Sequence, residues 1–161
     1  MQTAYFAGGC FWCVEAIFQR IDGVKGLTNG YCNGSTQNPT YEEVCSGQSG
    51  HAEVLKIEFE EKQISFAGLL EVFVETHDPT SLNQQGADRG TQYRSAVFYT
   101  DSNQRDQAVS VINSIPDAVT EISPLDVFYA AESYHQNYYN NNPNQSYCQL
   151  VILPKIDKYF K

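Results

Sequence analysis

The first half of the chain combines a pattern typical of strands with one typical of helices. A short apolar run at residues 5–7 predicts a buried strand that Gly8 and Gly9 end, and apolar residues then recur at helical spacing as far as Gly23. Residues 52–59 alternate between apolar and polar positions, which predicts a second strand. These patterns indicate that the chain turns from a strand into a helix at residue 10.

The second half continues the same mixture of elements. Apolar residues at helical spacing over residues 66–73 predict a helix, and Ser65 is placed as its N-cap. A further helix is predicted at residues 104–112, with short strands at 95–99, 119–122 and 127–130. The order of these elements predicts a fold of mixed α and β structure.

Three polar segments interrupt the pattern. Residues 30–50 are rich in Gly, Asn, Ser, Thr and Pro, which predicts a long functional loop, and a second polar loop is predicted at 77–93. Residues 133–147 carry tyrosines among asparagines, a composition that favours a semi-ordered wrap on the surface over a core element.

Length and charge restrict the classes of partner. We expect a single domain over residues 1–161, with residues 133–161 as its C-terminal tail, and we expect a monomer. The formal net charge of −9 repels phosphate backbones and anionic lipids, so we expect neither nucleic acid nor a membrane as partner. No secretory signal is visible at the N-terminus, which favours a cytoplasmic protein.

The sharpest chemical feature is the sequence GGCFWC at residues 8–13. Two glycines allow a tight turn and place Cys10 at the start of a helix, where free N–H groups and the helix dipole favour a thiolate. A thiolate is the attacking species of a nucleophilic cysteine. The alternative is that Cys10 is a small buried apolar residue, but the glycines, the CxxC spacing and the chain's one Trp beside it favour the nucleophile.

A second candidate, Glu53, shares the parity of the apolar residues in the strand predicted at residues 52–59. It is therefore expected to point inward, unless the facing of the strand is misjudged by one residue. A carboxyl on an apolar face has its pKa raised by desolvation and stays protonated near neutral pH. Such a group could donate a proton while a thiolate attacks.

GGCFWC is also where a family resemblance begins, because it resembles the GCFW motif of the A-type methionine sulfoxide reductases. Further blocks follow in that family's order and span most of the chain: GY at 30–31, NPTYEEVCSG at 38–47, GHAE at 50–53, HDPT at 77–80, QGADRGTQYRS at 85–95, AE at 131–132, HQ at 135–136 and YC at 147–148. GCFW alone would be weak evidence, whereas the joint occurrence of these blocks is highly specific.

The resemblance implies a fold and an activity. The fold is an α+β fold, a two-layer α/β sandwich with a mixed β-sheet. The activity is thiol-dependent reduction of free or peptidyl methionine-S-sulfoxide, which repairs oxidised proteins and needs no cofactor or metal. Thioredoxin is the implied electron donor.

The same resemblance assigns roles to individual residues. Cys10 is the nucleophile, and Glu53 protonates the sulfoxide oxygen. Tyr41 and Tyr93 hydrogen-bond that oxygen, and Asp88 supports the site through water. Phe11 and Trp12 form an apolar wall around the S-methyl group.

Reduction of a sulfoxide leaves a sulfenic acid on Cys10, which a second thiol must resolve. Cys13 is close in sequence, whereas Cys148 resembles the C-terminal recycling cysteine of many family members. We expect Cys148 to act first, because a mobile tail could reach the sulfenic acid without unwinding the helix, and Cys13 to act second. Cys32 and Cys45 are expected to be bystanders.

Two other functions compete with this reading. CxxC at a helix start is also the motif of thioredoxin-like disulfide oxidoreductases, although the long polar loop predicted after the first helix is unlike an early βαβ unit. A small zinc-binding or interaction domain is the non-enzyme alternative, but no second tight ligand pair accompanies Cys10 and Cys13.

Overall fold

Helices pack against a six-stranded sheet, and a two-stranded hairpin lies beside it. The computed structural model describes residues 1–160, and Lys161, the last residue of the predicted domain, lies outside them. The strands are β1 (Gln2–Ala7), β2 (Val24–Cys32), β3 (Ala52–Phe59), β4 (Gln84–Gln85), β5 (Asp88–Arg89), β6 (Ala96–Tyr99), β7 (Glu121–Pro124) and β8 (Phe128–Ala130). The helices are α1 (Phe11–Phe18), α2 (Tyr41–Cys45), α3 (Phe66–Thr76), α4 (Ser102–Asn113), α5 (Tyr138–Asn141) and α6 (Leu153–Tyr159).

The large sheet has the strand order β7-β6-β1-β3-β2-β8. Its neighbours are antiparallel except for β6 and β7, which run parallel. The α+β fold predicted from the sequence, with its mixed sheet and a helical layer, is therefore confirmed. No helix among residues 1–160 has both the length and the apolar character that a membrane span requires.

The core lies between the central strands and the helices. Phe6 of β1 stacks on Phe73 of α3 with ring centroids 4.8 Å apart, and it also contacts Phe18 and Phe66. Leu55 of β3 pairs in register with Phe6 and is fully buried. Each such side chain contributes about 1.5–3 kcal/mol by leaving water, so this cluster anchors α1 and α3 on the sheet.

Two elements occur where the sequence predicted mainly loop. β2 forms despite its glycines because it pairs with β3 from Val24 to Cys32, and at Gly30 a Cβ atom would lie 2.4 Å from the ring of Phe128 on β8. The helix α2 begins with a capping box, in which the Thr40 hydroxyl accepts from the Glu43 amide and the Glu43 carboxylate accepts from the Thr40 amide. The long loop predicted at residues 30–50 therefore begins only after β2 and is interrupted by α2, since pairing and capping override the local composition.

The C-terminal tail is held against the core at several points. Its chain forms helical turns, and the side chains of Cys148 and Ile152 are fully buried. The buried carboxylate of Glu15 on α1 accepts hydrogen bonds from the backbone amides of Asn137 and Tyr138, at 2.9 and 3.3 Å. Most side chains of residues 133–147 lie at the surface, as expected, and a buried acceptor from the core fixes this segment near its start.

Candidate active site

Cys10 occupies the N-cap of α1, as its position after two glycines predicted. Gly9 has φ +91°, and a Cβ atom there would lie 2.7 Å from the Gln85 side chain, so only glycine suits this turn. The Cys10 side chain is 7% exposed. The turn therefore leaves the thiol at the helix start with only a narrow opening to solvent.

Glu53 points inward from β3 and is 1% exposed, as its parity in the strand predicted. Its Oε1 accepts the Phe11 backbone N–H at 3.0 Å, whereas Oε2 is buried and has no hydrogen-bond partner among residues 1–160. Burial raises the pKa of this carboxyl to about 8, and the charges of Asp88 and Cys13 act in the same direction. Glu53 is therefore mostly protonated at neutral pH and can hold its proton on the unpaired oxygen.

Tyr41 and Tyr93 both lie close enough to Glu53 for its charge to act on their phenols. Burial raises the pKa of each phenol, and the carboxylate of Glu53 raises it further, so both remain neutral hydrogen-bond donors. Tyr41 is the first residue of α2, and its backbone amide donates to the Glu132 carboxylate at 2.9 Å. Two separate segments thus bring hydroxyl groups to the acid.

The aromatic pair after Cys10 is held by the C-terminal tail. The Trp12 indole stacks on Tyr138 at 3.7 Å between ring centroids, and its Nε1 donates to His135 Nδ1 at 3.1 Å. Phe11 is 1% exposed and packs against Tyr31 and His135, with centroids 5.7 and 5.3 Å apart. His135 and Tyr138 were not assigned this role from the sequence, because their contacts span more than a hundred residues.

Cys10 and Cys13 form a coupled pair of buried thiols. Burial raises the pKa of Cys10, and its hydrogen bond to Cys13 and the charge of Glu53 raise it further, although the Trp12 amide has the opposite effect. The pKa of Cys13 is lowered, first by the hydrogen bond from Cys10. The predicted preference for a thiolate on Cys10 is therefore opposed in the free protein by burial and by the neighbouring acid.

Asp88 is connected to Cys13 through the phenol of Tyr147. The Tyr147 hydroxyl donates to Asp88 Oδ2 at 2.5 Å and lies 3.4 Å from Cys13 Sγ. The sequence did not single out Tyr147 among 11 tyrosines, although it lies in the YC block. Cys148, the next residue, is buried, and burial raises the pKa of its thiol. The charge of the nearby Cys13 thiolate raises the pKa of Cys148 further.

A groove of about 820 Å³ opens onto this pair of thiols. Cys10 and Cys13 line it together with Asp88, Tyr147 and Lys155. The positive charge of Lys155 lowers the pKa of Cys13. The groove gives both thiols a path to solvent.

The other two cysteines lie apart from this pair. Cys32 is fully buried in β2, whereas the Cys45 thiol lies close enough to the phenol of Tyr41, at the edge of the site, for the two groups to affect each other's pKa. All five cysteines are free thiols. Within residues 1–160 there is no group of three or more His, Cys, Asp or Glu side chains arranged to hold a metal ion.

Comparisons with known proteins agree on one family. The family model described as "Peptide methionine sulfoxide reductase" matches residues 2–161. Proteins named "Peptide methionine sulfoxide reductase MsrA" are similar over nearly all of both chains. That of Vesicomyosocius okutanii is 64% identical over 161 residues, with 99% of each chain covered. That of Nautilia profundicola is 48% identical, covering 100% of this chain and 95% of its own.

Solved structures give the same answer. The crystal structure of Mxr1 from Saccharomyces cerevisiae in reduced form has a TM-score of 0.87 and 33% identity, covering 91% of this chain and 88% of its own. Methionine sulfoxide reductase A of Corynebacterium diphtheriae has a TM-score of 0.81 and 33% identity, covering 88% and 75%. A buried thiol at a helix start, a protonated carboxyl and two phenols therefore lie in a fold shared with these enzymes, and the chain belongs to the peptide methionine sulfoxide reductase family, the oxidoreductases that reduce methionine sulfoxide.

Proposed function

We propose that this chain reduces methionine-S-sulfoxide, free or in peptides, by attack of the Cys10 sulfur on the sulfoxide sulfur. The observation that carries the proposal is the protonated carboxyl of Glu53, buried beside the thiol and with one oxygen unpaired. Sulfoxide reduction needs a nucleophile at sulfur and a proton at oxygen under the same conditions. Cys10 and Glu53 supply the two, while the charge on each disfavours a charge on the other.

The first chemical step consumes a thiolate on Cys10 and one proton from Glu53, so the Cys10 thiol loses its own proton before it attacks. The Cys10 thiolate attacks the sulfoxide sulfur and forms an S–S bond to it, while Glu53 gives its proton to the sulfoxide oxygen. The substrate's S–O bond and the new S–S bond then break as the hydroxyl forms a bond to the Cys10 sulfur. Methionine leaves, and the hydroxyl remains on Cys10 as a sulfenic acid. Two electrons pass from the thiol to the substrate sulfur.

The remaining residues of the site position the substrate. The phenols of Tyr41 and Tyr93, both neutral, donate hydrogen bonds to the sulfoxide oxygen beside Glu53. The rings of Phe11 and Trp12 offer apolar surface to the S-methyl group. Because the tail fixes the Trp12 ring, this wall is formed before the substrate arrives.

For the resolving step, the contacts favour Cys13 before Cys148. The Cys13 thiol is close enough to Cys10 for the two thiols to affect each other's pKa, and residues three apart at a helix start face each other. Cys148 is buried in a docked tail and interacts with Cys13, so it is placed to exchange with a Cys10–Cys13 disulfide. This order reverses the one expected from the sequence, because that expectation depended on a mobile tail.

The oxidised chain must then be returned to the thiol state by an external dithiol. The structure of Mxr1 has also been determined in complex with Trx2, with 22% identity to this chain, a TM-score of 0.61, and coverage of 85% of this chain and 84% of its own. We propose a thioredoxin as donor for this chain too. Repair of oxidised proteins is the resulting role.

A single turnover without reductant tests the chemistry. Reduced protein mixed with a peptide containing methionine-S-sulfoxide should release one equivalent of the methionine peptide, with Cys10 as the oxidised thiol in mass spectrometry. The R epimer serves as the control and should remain unchanged. Reduction of both epimers, or oxidation that spares Cys10, would contradict the proposal.

Peptide mapping at successive times tests the order of the thiols. We expect a Cys10–Cys13 disulfide first and a Cys13–Cys148 disulfide later, and in Cys148→Ser the first should accumulate at the wild-type rate. A Cys10–Cys148 disulfide that appears first in the wild-type protein would restore the opposite order.

A further inference from the structure

The hydroxyl of Tyr147 lies between a carboxylate and a thiol that the reaction has to deprotonate. It lies 2.5 Å from Asp88 Oδ2 and 3.4 Å from Cys13 Sγ, and Cys13 is 4% exposed. These three groups come from β5, α1 and the tail, so the tertiary fold alone brings them together.

The number of available hydrogens determines which group donates in each of these two hydrogen bonds. A phenol carries one hydrogen, and an ionised carboxylate only accepts, so the Tyr147 hydrogen is donated to Asp88. The lone pairs of the phenol oxygen are then free to accept the S–H of Cys13. The donors thus run in one direction, from Cys13 to Tyr147 to Asp88.

This chain of hydrogen bonds matters most after Cys10 has been oxidised. In the reduced protein, the hydrogen bond from the Cys10 thiol is the largest cause that lowers the pKa of Cys13. A sulfenic acid carries its hydrogen on oxygen instead of sulfur, so this contact changes when Cys10 reacts. Tyr147 and Asp88 remain in place at the moment when Cys13 must lose its proton.

We propose that Asp88 is the general base of the resolving step and that it acts on Cys13 through the Tyr147 hydroxyl. The inference rests on the proposed function, since it assumes that Cys13 attacks a sulfenic acid on Cys10. The S–H proton of Cys13 moves to the Tyr147 oxygen as the phenol proton moves to Asp88. The S–S bond forms, the S–O bond of Cys10 breaks, and the hydroxyl leaves as water with a proton from the solvent.

The groove completes the cycle for Asp88. Asp88, Tyr147 and both thiols line it, so the carboxyl can return its proton to solvent after each turnover. The ionisable groups that act on Cys13 or are acted on by it are Cys10, Glu53, Asp88, Tyr147, Cys148 and Lys155. Only Tyr147 links Cys13 to a carboxylate by hydrogen bonds within residues 1–160.

Tyr147→Phe tests the proposal, because it keeps the ring and removes the oxygen that relays the proton. Two rates are measured in one turnover without reductant: release of the methionine peptide, and formation of the Cys10–Cys13 disulfide. We expect release within about threefold of wild type and disulfide formation at least about tenfold slower. The sulfenic acid should accumulate and be trapped by dimedone, and a higher pH should restore the slow rate because solvent then removes the proton.

Tyr159→Phe is the matched control. It removes a phenol hydroxyl that lines the same groove and donates to Glu75 at 3.1 Å, so both rates should stay at the wild-type value. Asp88→Asn should slow the disulfide step like Tyr147→Phe, and the double variant should be no slower than either, since both act in one chain.

The outcomes separate this inference from the function on which it rests. If the wild-type protein releases no methionine, the proposed function itself fails. If methionine is released but Tyr147→Phe forms the disulfide at the wild-type rate, only the relay is overturned. Equal loss of both rates would also overturn it, because Tyr147 would then serve the substrate.

Discussion

Replacing Glu53 by Gln should separate the catalytic role of this carboxyl from its effect on stability. Burial raises the pKa of Glu53 from 4.5 to about 8. Because the pKa is raised in the folded state, the contribution of Glu53 to the free energy of unfolding is fully present below about pH 4.5. It is lost as the pH rises toward 8, since the unfolded chain releases a proton that the folded one retains. At pH 7 this loss of unfolding free energy approaches about 3 kcal/mol relative to a side chain that stays uncharged.

Glu53→Gln removes this pH dependence but adds a fixed cost. The Gln oxygen can still accept the Phe11 amide, whereas its NH₂ group takes the place of an oxygen that has no partner among residues 1–160. A buried unpaired donor costs about 1–3 kcal/mol at any pH. The difference in unfolding free energy between variant and wild type should therefore shift by about 3 kcal/mol in favour of the variant between pH 4 and pH 7.

Urea denaturation of both proteins at several pH values measures that shift, and all other ionisable groups cancel in the comparison. In parallel, single-turnover release of methionine should fall by about 10²–10⁴-fold in Glu53→Gln at pH 7 and by less at acidic pH, where solvent supplies part of the proton. A stability difference that stays constant from pH 4 to pH 7 would show that Glu53 is ionised in the folded protein and would refute the reasoning.

Three further predictions concern single side chains. Cys10→Ser should abolish sulfoxide reduction in a coupled assay, and turnover above a tenth of wild type would contradict its role as nucleophile. Lys155→Gln should slow alkylation of Cys13 by iodoacetamide at pH 7 about two- to fivefold, as expected for the loss of one charge interaction; an unchanged rate would remove Lys155 from the thiolate's environment. Glu15→Ala should lower the unfolding free energy by at least about 2 kcal/mol, because amides of the tail lose a buried acceptor, whereas Glu15→Gln should lose less.

The sequence predicted the features that depend on local pattern. The two glycines before Cys10 indicated a turn into a helix, and Gly9 has the positive φ that such a turn requires. The period of two in β3 placed Glu53 on the inner face, since a residue's parity in a strand decides which side it faces. Burial then accounts for its raised pKa.

Contacts between distant segments were beyond the reach of local pattern. The glycines of β2 do not indicate a strand, and this strand forms because β3 pairs along it. The polar tail is fixed at its start because Glu15 accepts hydrogen bonds from its backbone amides.

The same limit applies to the thiols. The sequence found Cys10, Cys13 and Cys148, but the chemical environment of Cys13 depends on Tyr147, 134 residues away, and on Asp88, a further contact of that phenol. The proposed choice of resolving cysteine rests on these contacts and on the burial of Cys148. A sequence window records which groups are present, whereas proton affinity depends on the charges, donors and solvent around a group, and only the folded chain sets those.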